Sequence, residues 1–129
     1  MQRYETKTIR INKKSFGALI ADTYIKRMLG LMFRNRLGRS ECMLFVFSRT
    51  GKHKIWMYNM RFPIDVLWLD VDYKIVDMEK QLKPCSSIPE CKESCPRAPA
   101  KYIIELNSGE IKRAKVNINS KVVVAATDS

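Results

Sequence analysis

The side chains best suited to chemistry are concentrated in a short stretch that ends at Asp65. Trp56 and Asn59 lie in the run Trp-Met-Tyr-Asn, and Asp65 follows soon after Pro63. A large aromatic ring, an amide and a carboxylate at one corner between two strands could orient a polar ligand. Asp65 also interrupts a stretch whose other residues are apolar, which singles it out. The structural alternative is that Asn59 and Asp65 bond the loop backbone, as these residue types often do in turns.

Three cysteines form a second distinctive group. Cys85, Cys91 and Cys95 lie in a Pro-rich stretch. Three thiolates could hold a tetrahedral Zn²⁺, with His53, Cys42 or a carboxylate as the fourth ligand, but the paired two-residue spacings of specific zinc motifs are absent. A disulfide would instead cross-link the stretch, although in the cytoplasm this usually requires a thermophilic source. Disulfide, free thiols and a metal site all stay open.

The sequence gives little support to catalysis. His53 is the only histidine and lies in a Lys-rich turn, with no Ser or Cys placed against it for nucleophilic catalysis. Paired-carboxylate hydrolysis could use Asp65 with Glu105 or Asp70, but sequence does not give the distance between strands. Neither G-x-G-x-x-G nor a Walker loop occurs. These features favour a binding or accessory role over an enzymatic one.

The charge balance suggests an acidic partner. The 129 residues contain 24 Lys and Arg against 13 Asp and Glu, a formal net charge of +11. Such an excess favours nucleic acid or acidic ligands at low salt, although the basic residues are scattered along the chain. No stretch approaches the length of a membrane span, and the first residues lack the apolar core of a signal peptide, which predicts a cytoplasmic protein.

One α-helix is expected to position these groups. It begins at Asp22 and ends at Met32, and Tyr24, Met28 and Leu31 recur on one apolar face at helical spacing. Capping by Asp22 or Thr23 and the end at Gly30 fit this interpretation.

The remaining elements are predicted to be short strands. Alternating or uninterrupted apolar residues, bounded by turn residues, mark them. They cover residues 6–11, 16–21, 43–47, 54–58, 64–69, 74–78, 102–106 and 122–126. Residues 48–52 are expected to form a hairpin turn, and an irregular Cys/Pro-rich loop begins at Leu82 and ends at Pro99. Seven or eight short strands with one helix predict a mostly β domain, residues 1–129, built as an antiparallel sandwich or barrel.

Several sequence pieces occur in a familiar order. They are Ala21-Asp22-Thr23, Arg27, Gly30-Leu31-Met32-Phe33-Arg34, Leu37, Met43-Leu44-Phe45-Val46-Phe47, Trp56-Met57, Asn59 and Pro63-Ile64-Asp65. Further pieces are Lys74-Ile75-Val76, Pro84-Cys85, and Tyr102-Ile103-Ile104-Glu105-Leu106 with Gly109. In these features the chain resembles the family catalogued as domain of unknown function one hundred and ninety-two, found in archaea and bacteria. The resemblance implies a β-sandwich of jelly-roll type, and no established reaction, cofactor or catalytic residue.

Together these observations predict a small binding domain with a shallow pocket beside the helix. The expected lining is Met32, Arg34, Trp56, Asn59 and Asp65. Arg34 and Asn59 would orient a polar or anionic ligand, Trp56 would form the apolar wall, and Asp65 would hold Arg34. The alternatives are nucleic-acid or acidic-partner binding through the basic surface, zinc binding by the Cys loop, and carboxylate-dependent hydrolysis.

Overall fold

A single seven-stranded sheet dominates the computed structural model, which describes residues 2–125. The strands are β1 (Thr6–Ile11), β2 (Lys14–Ala21), β3 (Glu41–Gly51), β4 (Ile64–Leu69), β5 (Ile75–Leu82), β6 (Ala100–Asn107) and β7 (Val122–Val124). Their order across the sheet is β5-β4-β6-β3-β2-β1-β7. Two short helices, α1 (Tyr24–Leu29) and α2 (Glu110–Arg113), and one 3₁₀ turn (Ile88–Glu90) complete the described part of the chain. The prediction of a mostly β domain is confirmed.

One pair of strands departs from the predicted antiparallel arrangement. β2 and β3 run parallel, with Gly17 opposite Glu41 and Ala21 opposite Phe45. A parallel pair needs a long crossover connection, and the segment between these strands, which contains α1, supplies it. The number of helices also differs, because α2 forms a second helical turn where one helix was expected.

The sheet curls around its first face. Leu69 and Ile75 near one end of the sheet and Ile11 and Val122 near the other belong to one hydrophobic cluster. One cleft is also lined by Ile75 and Val76 of β5 and by Val122 and Val123 of β7, so the twisted sheet bends until the strands at its two ends lie near each other. Ile111, just after the start of α2, packs into the same cluster.

The second face of the sheet is covered as well. Met43 of β3, Val66 of β4 and Ile103 of β6 belong to a second cluster, against which Leu31 and Met60 pack from the connecting segments. The central strands are therefore buried on both sides, and all residues of β4 are buried.

The hairpin predicted after residue 47 is wrong. β3 continues through the expected turn to Gly51, and residues 54–58 form only isolated bridges, from Ile55 to Ser94 and from Tyr58 to Cys85. β3 pairs with β2 as far as Phe45, and it pairs with β6 at residues 42–46 and again at Gly51. β6, a strand from much later in the chain, therefore takes a neighbouring position that a hairpin strand would have occupied. The predicted strand at residues 122–126 is seen as β7, and its expected end at Ala126 lies outside the described residues.

Helix α1 is shorter than predicted and its apolar face is not buried. Thr23 caps it, its Oγ1 accepting from Lys26 N at 3.2 Å, and Gly30 ends it at a φ of 51°. None of its residues is buried, and Tyr24 is 70% exposed and Met28 58% exposed. A helix of fewer than two turns cannot extend a stripe along the sheet. No helix among the described residues is both long and apolar enough to cross a membrane.

Candidate ligand-binding cavity beneath helix α1

A cavity of about 230 Å³ lies between α1 and the second face of the sheet. Its walls are largely apolar, with Phe45 and Phe47 from β3, Leu31 after the helix, and Trp56 and Met60 from the segment before β4. Apolar walls with few polar groups are typical of small-ligand sites. The polar groups here are therefore the ones to examine.

Glu105 is the acidic side chain that lines this cavity. It lies on β6, opposite Met43 of β3 and Val66 of β4, and both neighbours belong to the second cluster. Strand pairing therefore turns the carboxyl toward the same face as these apolar side chains. The residue is only 7% exposed, and its carboxyl forms no hydrogen bond or ion pair with any described residue.

The surroundings of Glu105 favour its neutral form. Burial raises the pKa of this carboxyl from its ordinary value of 4.5 to about 8. Burial is the cause, because withdrawing a carboxylate from water disfavours its charged form. At neutral pH the side chain is therefore mainly a protonated acid that can donate a hydrogen bond into the cavity.

Two basic residues line the same cavity. Arg27 donates from Nη1 to the Val46 carbonyl oxygen at 3.0 Å and lies over the Phe47 ring at 5.5 Å from its centroid. Lys54 approaches from the segment after β3. The arrangement combines a buried acid, apolar walls and two positive charges.

Two of the five predicted pocket residues line this cavity. Met32 and Trp56 do so, and Trp56, which was expected to form the apolar wall, is 42% exposed. Trp68 is the buried one, and its Nε1 donates to the His53 carbonyl oxygen at 2.9 Å. Trp56 is exposed because residues 54–58 do not form a strand of the sheet.

Arg34 and Asn59 lie outside the cavity lining. The Arg34 guanidinium lies over the Tyr4 ring, 5.5 Å from its centroid. Asn59 has a φ of 62°, and its carbonyl oxygen accepts from Phe33 N at 2.9 Å. Asn59 thus provides the left-handed backbone position of a turn, a conformation that asparagine tolerates.

Asp65 lies on the opposite face of the sheet from Glu105. It pairs with Leu106 on β6, and Leu106 belongs to the first cluster. Its Oδ1 accepts from Gln81 N at 2.8 Å, and its Oδ2 accepts from the amides of Gly109 and Ile111 at 3.0 and 2.9 Å. The carboxylate therefore joins β5 to the turn that starts α2, and Asp65 and Arg34 have separate partners.

Neither carboxylate pair considered for hydrolysis is assembled. Asp65 lies opposite Leu106, and Glu105 is the residue before Leu106 on the same strand. Because successive side chains of a strand point to opposite faces, Asp65 and Glu105 point to opposite faces of the sheet. Asp70 belongs to a turn, where its Oδ1 accepts from Asp72 N at 2.8 Å and Lys74 N at 3.0 Å. Neither of the two pairs is therefore placed to share a substrate.

The cysteines are divided between a disulfide and two free thiols. Cys85 and Cys91 form a disulfide with a Cα–Cα distance of 5.5 Å, whereas Cys95 is free and exposed. Cys42 is buried in β3, and burial raises the pKa of its thiol well above the ordinary range. Within residues 2–125 no three His, Cys, Asp or Glu side chains are grouped so as to hold a metal ion.

A family model covers most of the chain. The model for domain of unknown function 192 (DUF192), described as Uncharacterized ACR, matches residues 7–124. The chain belongs to the DUF192 family. Its relatives are uncharacterised proteins, so membership assigns no reaction to this domain.

Relatives of this DUF192 protein occur in archaea. A UPF0127 protein of Pyrococcus furiosus is 33% identical over 104 residues, which are 79% of this chain and 81% of that protein. A UPF0127 protein of Thermococcus kodakarensis is 30% identical over 97 residues, which are 75% of this chain but 57% of that protein. The chain therefore spans little more than half of the second relative.

Two solved bacterial structures have a similar fold. A protein of Sinorhizobium meliloti, described as a candidate transcription regulator, has a TM-score of 0.85 and 26% identity, covering 96% of this chain and 97% of that chain. A Novosphingobium aromaticivorans protein of unknown function has a TM-score of 0.83 and 22% identity, covering 92% and 84%. The second similarity establishes the fold alone.

Sequence analysis considered Glu105 only as a partner of Asp65 in hydrolysis and did not place it in the predicted pocket. Glu105 interrupts the run Tyr102-Ile103-Ile104-Glu105-Leu106 just as Asp65 interrupts its own apolar strand. Applying the same criterion to both strands nominates both carboxyls. Arg27 is one of the pieces that carry the family resemblance, but neither Arg27 nor Lys54 was predicted to line the pocket, because a single basic residue in a basic chain is unremarkable.

Proposed function

We propose that this DUF192 domain binds a small ligand in the cavity beneath α1, with Glu105 as the polar anchor. The observation that carries the proposal is the unpaired, buried Glu105 carboxyl inside an apolar cavity. A carboxyl that is largely withdrawn from water and has no protein partner loses hydrogen-bonding free energy, by up to about 1–3 kcal/mol where no water takes the partner's place. A ligand that accepts a hydrogen bond from Glu105 would remove this cost.

The lining indicates the chemistry of the ligand. A protonated Glu105 would donate to a carbonyl, ether or hydroxyl oxygen, and the Phe, Met and Trp side chains would surround an apolar body. Arg27 and Lys54 would favour a negative charge on the ligand. Because the volume of about 230 Å³ is smaller than that of typical drug-sized sites, the ligand class is a small organic acid with an apolar body.

Binding is favoured over catalysis by the composition of the cavity. Among the described residues that line it, Glu105 is the single carboxyl, and no His, Ser or Cys accompanies it. General acid–base and nucleophilic mechanisms usually require a second group within hydrogen-bond reach. A lone acid is sufficient to orient a ligand.

The proposal is tested by comparing wild type, Glu105→Gln and Glu105→Leu in ligand-observed NMR with a library of small carboxylic acids at pH 6.5 and 9.5. Gln keeps a donor at every pH, and Leu removes it at similar volume. We expect wild type to bind at the lower pH only, Glu105→Gln at both and Glu105→Leu at neither. Equal binding by wild type and Glu105→Leu would show that Glu105 does not anchor a ligand.

Nucleic-acid binding is a second candidate function. The net charge of +11 and the similarity to a protein described as a candidate transcription regulator favour it. Trp56, 42% exposed, also offers a ring on which a base could stack. Titration of wild type and Trp56→Ala with single-stranded DNA at low and moderate salt tests this function. Binding that does not weaken as salt rises would exclude it, and unchanged affinity in Trp56→Ala would exclude stacking.

Two finer features stay predictions. The observed architecture is a curled seven-stranded sheet, and the jelly-roll sandwich implied by the family resemblance stays a prediction. A cytoplasmic location also stays a prediction, and the Cys85–Cys91 disulfide bears on it, because disulfides outside thermophiles persist mainly in oxidising compartments.

A further inference from the structure

A second cleft, separate from the Glu105 cavity, brings together basic side chains where β2 and β3 begin and β6 ends. It has a volume of about 760 Å³ and shares no lining residue with the cavity beneath α1. Its basic side chains come from three separate segments: Lys14 begins β2, Arg36 and Arg39 precede β3, and Arg113 ends α2. We propose that this cleft is a binding site for a phosphate group.

The segment that carries Arg36 and Arg39 is firmly anchored. Asn107, the last residue of β6, donates from Nδ2 to the carbonyl oxygens of Leu37 and Gly38, both at 3.1 Å. The Leu37 side chain is buried in the second cluster. The backbone between the two arginines is therefore fixed by side-chain bonds and by packing, so both guanidinium groups extend from a positioned backbone.

Glu110 organises the other two cations. One carboxylate oxygen pairs with Lys14 Nζ and the other with Arg113 Nη1, and Glu110 is itself buried. This single carboxylate is the acidic group among the described lining residues, so the four cations leave an excess of three positive charges. Arg36 and Arg39 are exposed and form no hydrogen bond or ion pair with any described residue.

Phosphate is the group that best matches this arrangement. A guanidinium group presents parallel N–H donors that fit two phosphate oxygens at once, and unpaired arginines have these donors available. A phosphate dianion would also offset most of the excess charge. The phosphate could belong to a phosphorylated small molecule or to a nucleic-acid backbone, which are distinguished by experiment.

The test uses a double variant and a charge-matched control. Arg36→Gln with Arg39→Gln removes the two unpaired cations, and Lys80→Gln with Lys83→Gln removes the same charge from exposed positions that do not line the cleft. Sodium pyrophosphate and single-stranded DNA of about 12 nucleotides are titrated calorimetrically at about 0.1 M NaCl. We expect the arginine variant to bind at least about tenfold more weakly than wild type, and the lysine variant to stay within about twofold.

The pattern of results identifies the source of the phosphate or overturns the site. If the arginine variant alone loses affinity for pyrophosphate, the ligand is a small phosphorylated molecule. If the arginine variant alone loses affinity for DNA and pyrophosphate binding is unchanged, the phosphate belongs to a nucleic-acid backbone. Equal losses in the two variants would mean that charge acts diffusely and that the cleft is not a site. No binding of either probe to wild type would overturn the proposal as well, and neither result depends on Glu105.

Discussion

Two buried carboxyls on neighbouring strands have opposite environments. Asp65 is surrounded by three backbone N–H donors, whereas Glu105 has no partner among the described residues. Since the pairing places them on opposite faces, neither influences the other directly. Because its hydrogen bonds are all made to the backbone, Asp65 supports the fold, whereas the Glu105 carboxyl has none and is the one proposed to meet a ligand.

Replacing Asp65 with Asn should destabilise the fold. The amide has one acceptor oxygen and would point its NH₂ group at backbone donors, so we expect a loss of about 2–4 kcal/mol in the free energy of unfolding. Urea denaturation followed by circular dichroism measures it. Asp22→Asn, at an exposed position, is the control and should stay within about 0.5 kcal/mol of wild type. If the two variants are equally stable, Asp65 does not hold the fold.

Glu105→Gln should change how stability depends on pH. Below its ordinary pKa of 4.5 the carboxyl is protonated in both the folded and unfolded chains, but between 4.5 and about 8 only the folded chain keeps the proton. Its contribution to stability is therefore lost as pH rises through this window, by up to about 1.4 kcal/mol per pH unit. Gln stays neutral, so the variant should gain stability relative to wild type as pH rises.

Urea midpoints at pH 5, 7 and 9 measure this difference. Glu93→Gln, at an exposed position, controls for the charge change. A constant difference between wild type and Glu105→Gln across the range would mean that Glu105 ionises normally in the folded protein.

Among the connecting elements, the segment from β5 to β6 depends most on local cross-links. The Cys85–Cys91 disulfide, the Ile55–Ser94 bridge and the Tyr58–Cys85 bridge hold it against the segment before β4. That neighbouring segment carries Trp56 of the cavity wall. Order in the cysteine loop therefore supports one side of the candidate site.

Replacing Cys85 and Cys91 with Ser should lower stability by about 2 kcal/mol, the loop-closure value for a short loop. The measurement is urea unfolding of both proteins under oxidising conditions. Cys95→Ser, which removes an exposed free thiol, should leave stability nearly unchanged. Equal midpoints for wild type and the double variant would show that the disulfide contributes nothing to the folded loop.

At the scale of the whole molecule, positive charge is poorly compensated. Four acidic side chains of the described residues are buried (Asp65, Asp77, Glu105 and Glu110), and of these Asp77 and Glu110 form ion pairs with Arg97, Lys14 and Arg113. The exterior therefore carries most of the 24 basic residues with few acidic neighbours. Mutual repulsion of these charges opposes the compact state.

Added salt should consequently stabilise the protein. Raising NaCl from about 0.01 M to about 0.5 M shortens the screening length several-fold, and we expect Tm to rise by about 2–5 °C. Differential scanning calorimetry in a non-phosphate buffer measures the change without occupying the proposed anion cleft. A Tm that falls or stays constant would mean that the surface charges are already balanced.

The sequence by itself determined those features that depend on neighbouring residues. The bounds of β1 and β4 agree with the predicted segments, and the segment after Thr23 is helical up to Gly30. Turn residues, caps and the period of apolar side chains act over a few positions, so they can be read locally. The family resemblance was visible in the same way, because its motifs are short and ordered along the chain.

Only the tertiary structure decided which strands are neighbours and which side chains are buried. β3 lies between β6 and β2, so the expected hairpin did not form and Trp56 became exposed. The segments that cover the second face of the sheet buried Glu105, which the sequence by itself marks only as a carboxyl within an apolar run. Burial and pairing depend on segments far away in the chain, and no local pattern encodes their positions. The same reason explains why four cations from three segments meet in one cleft.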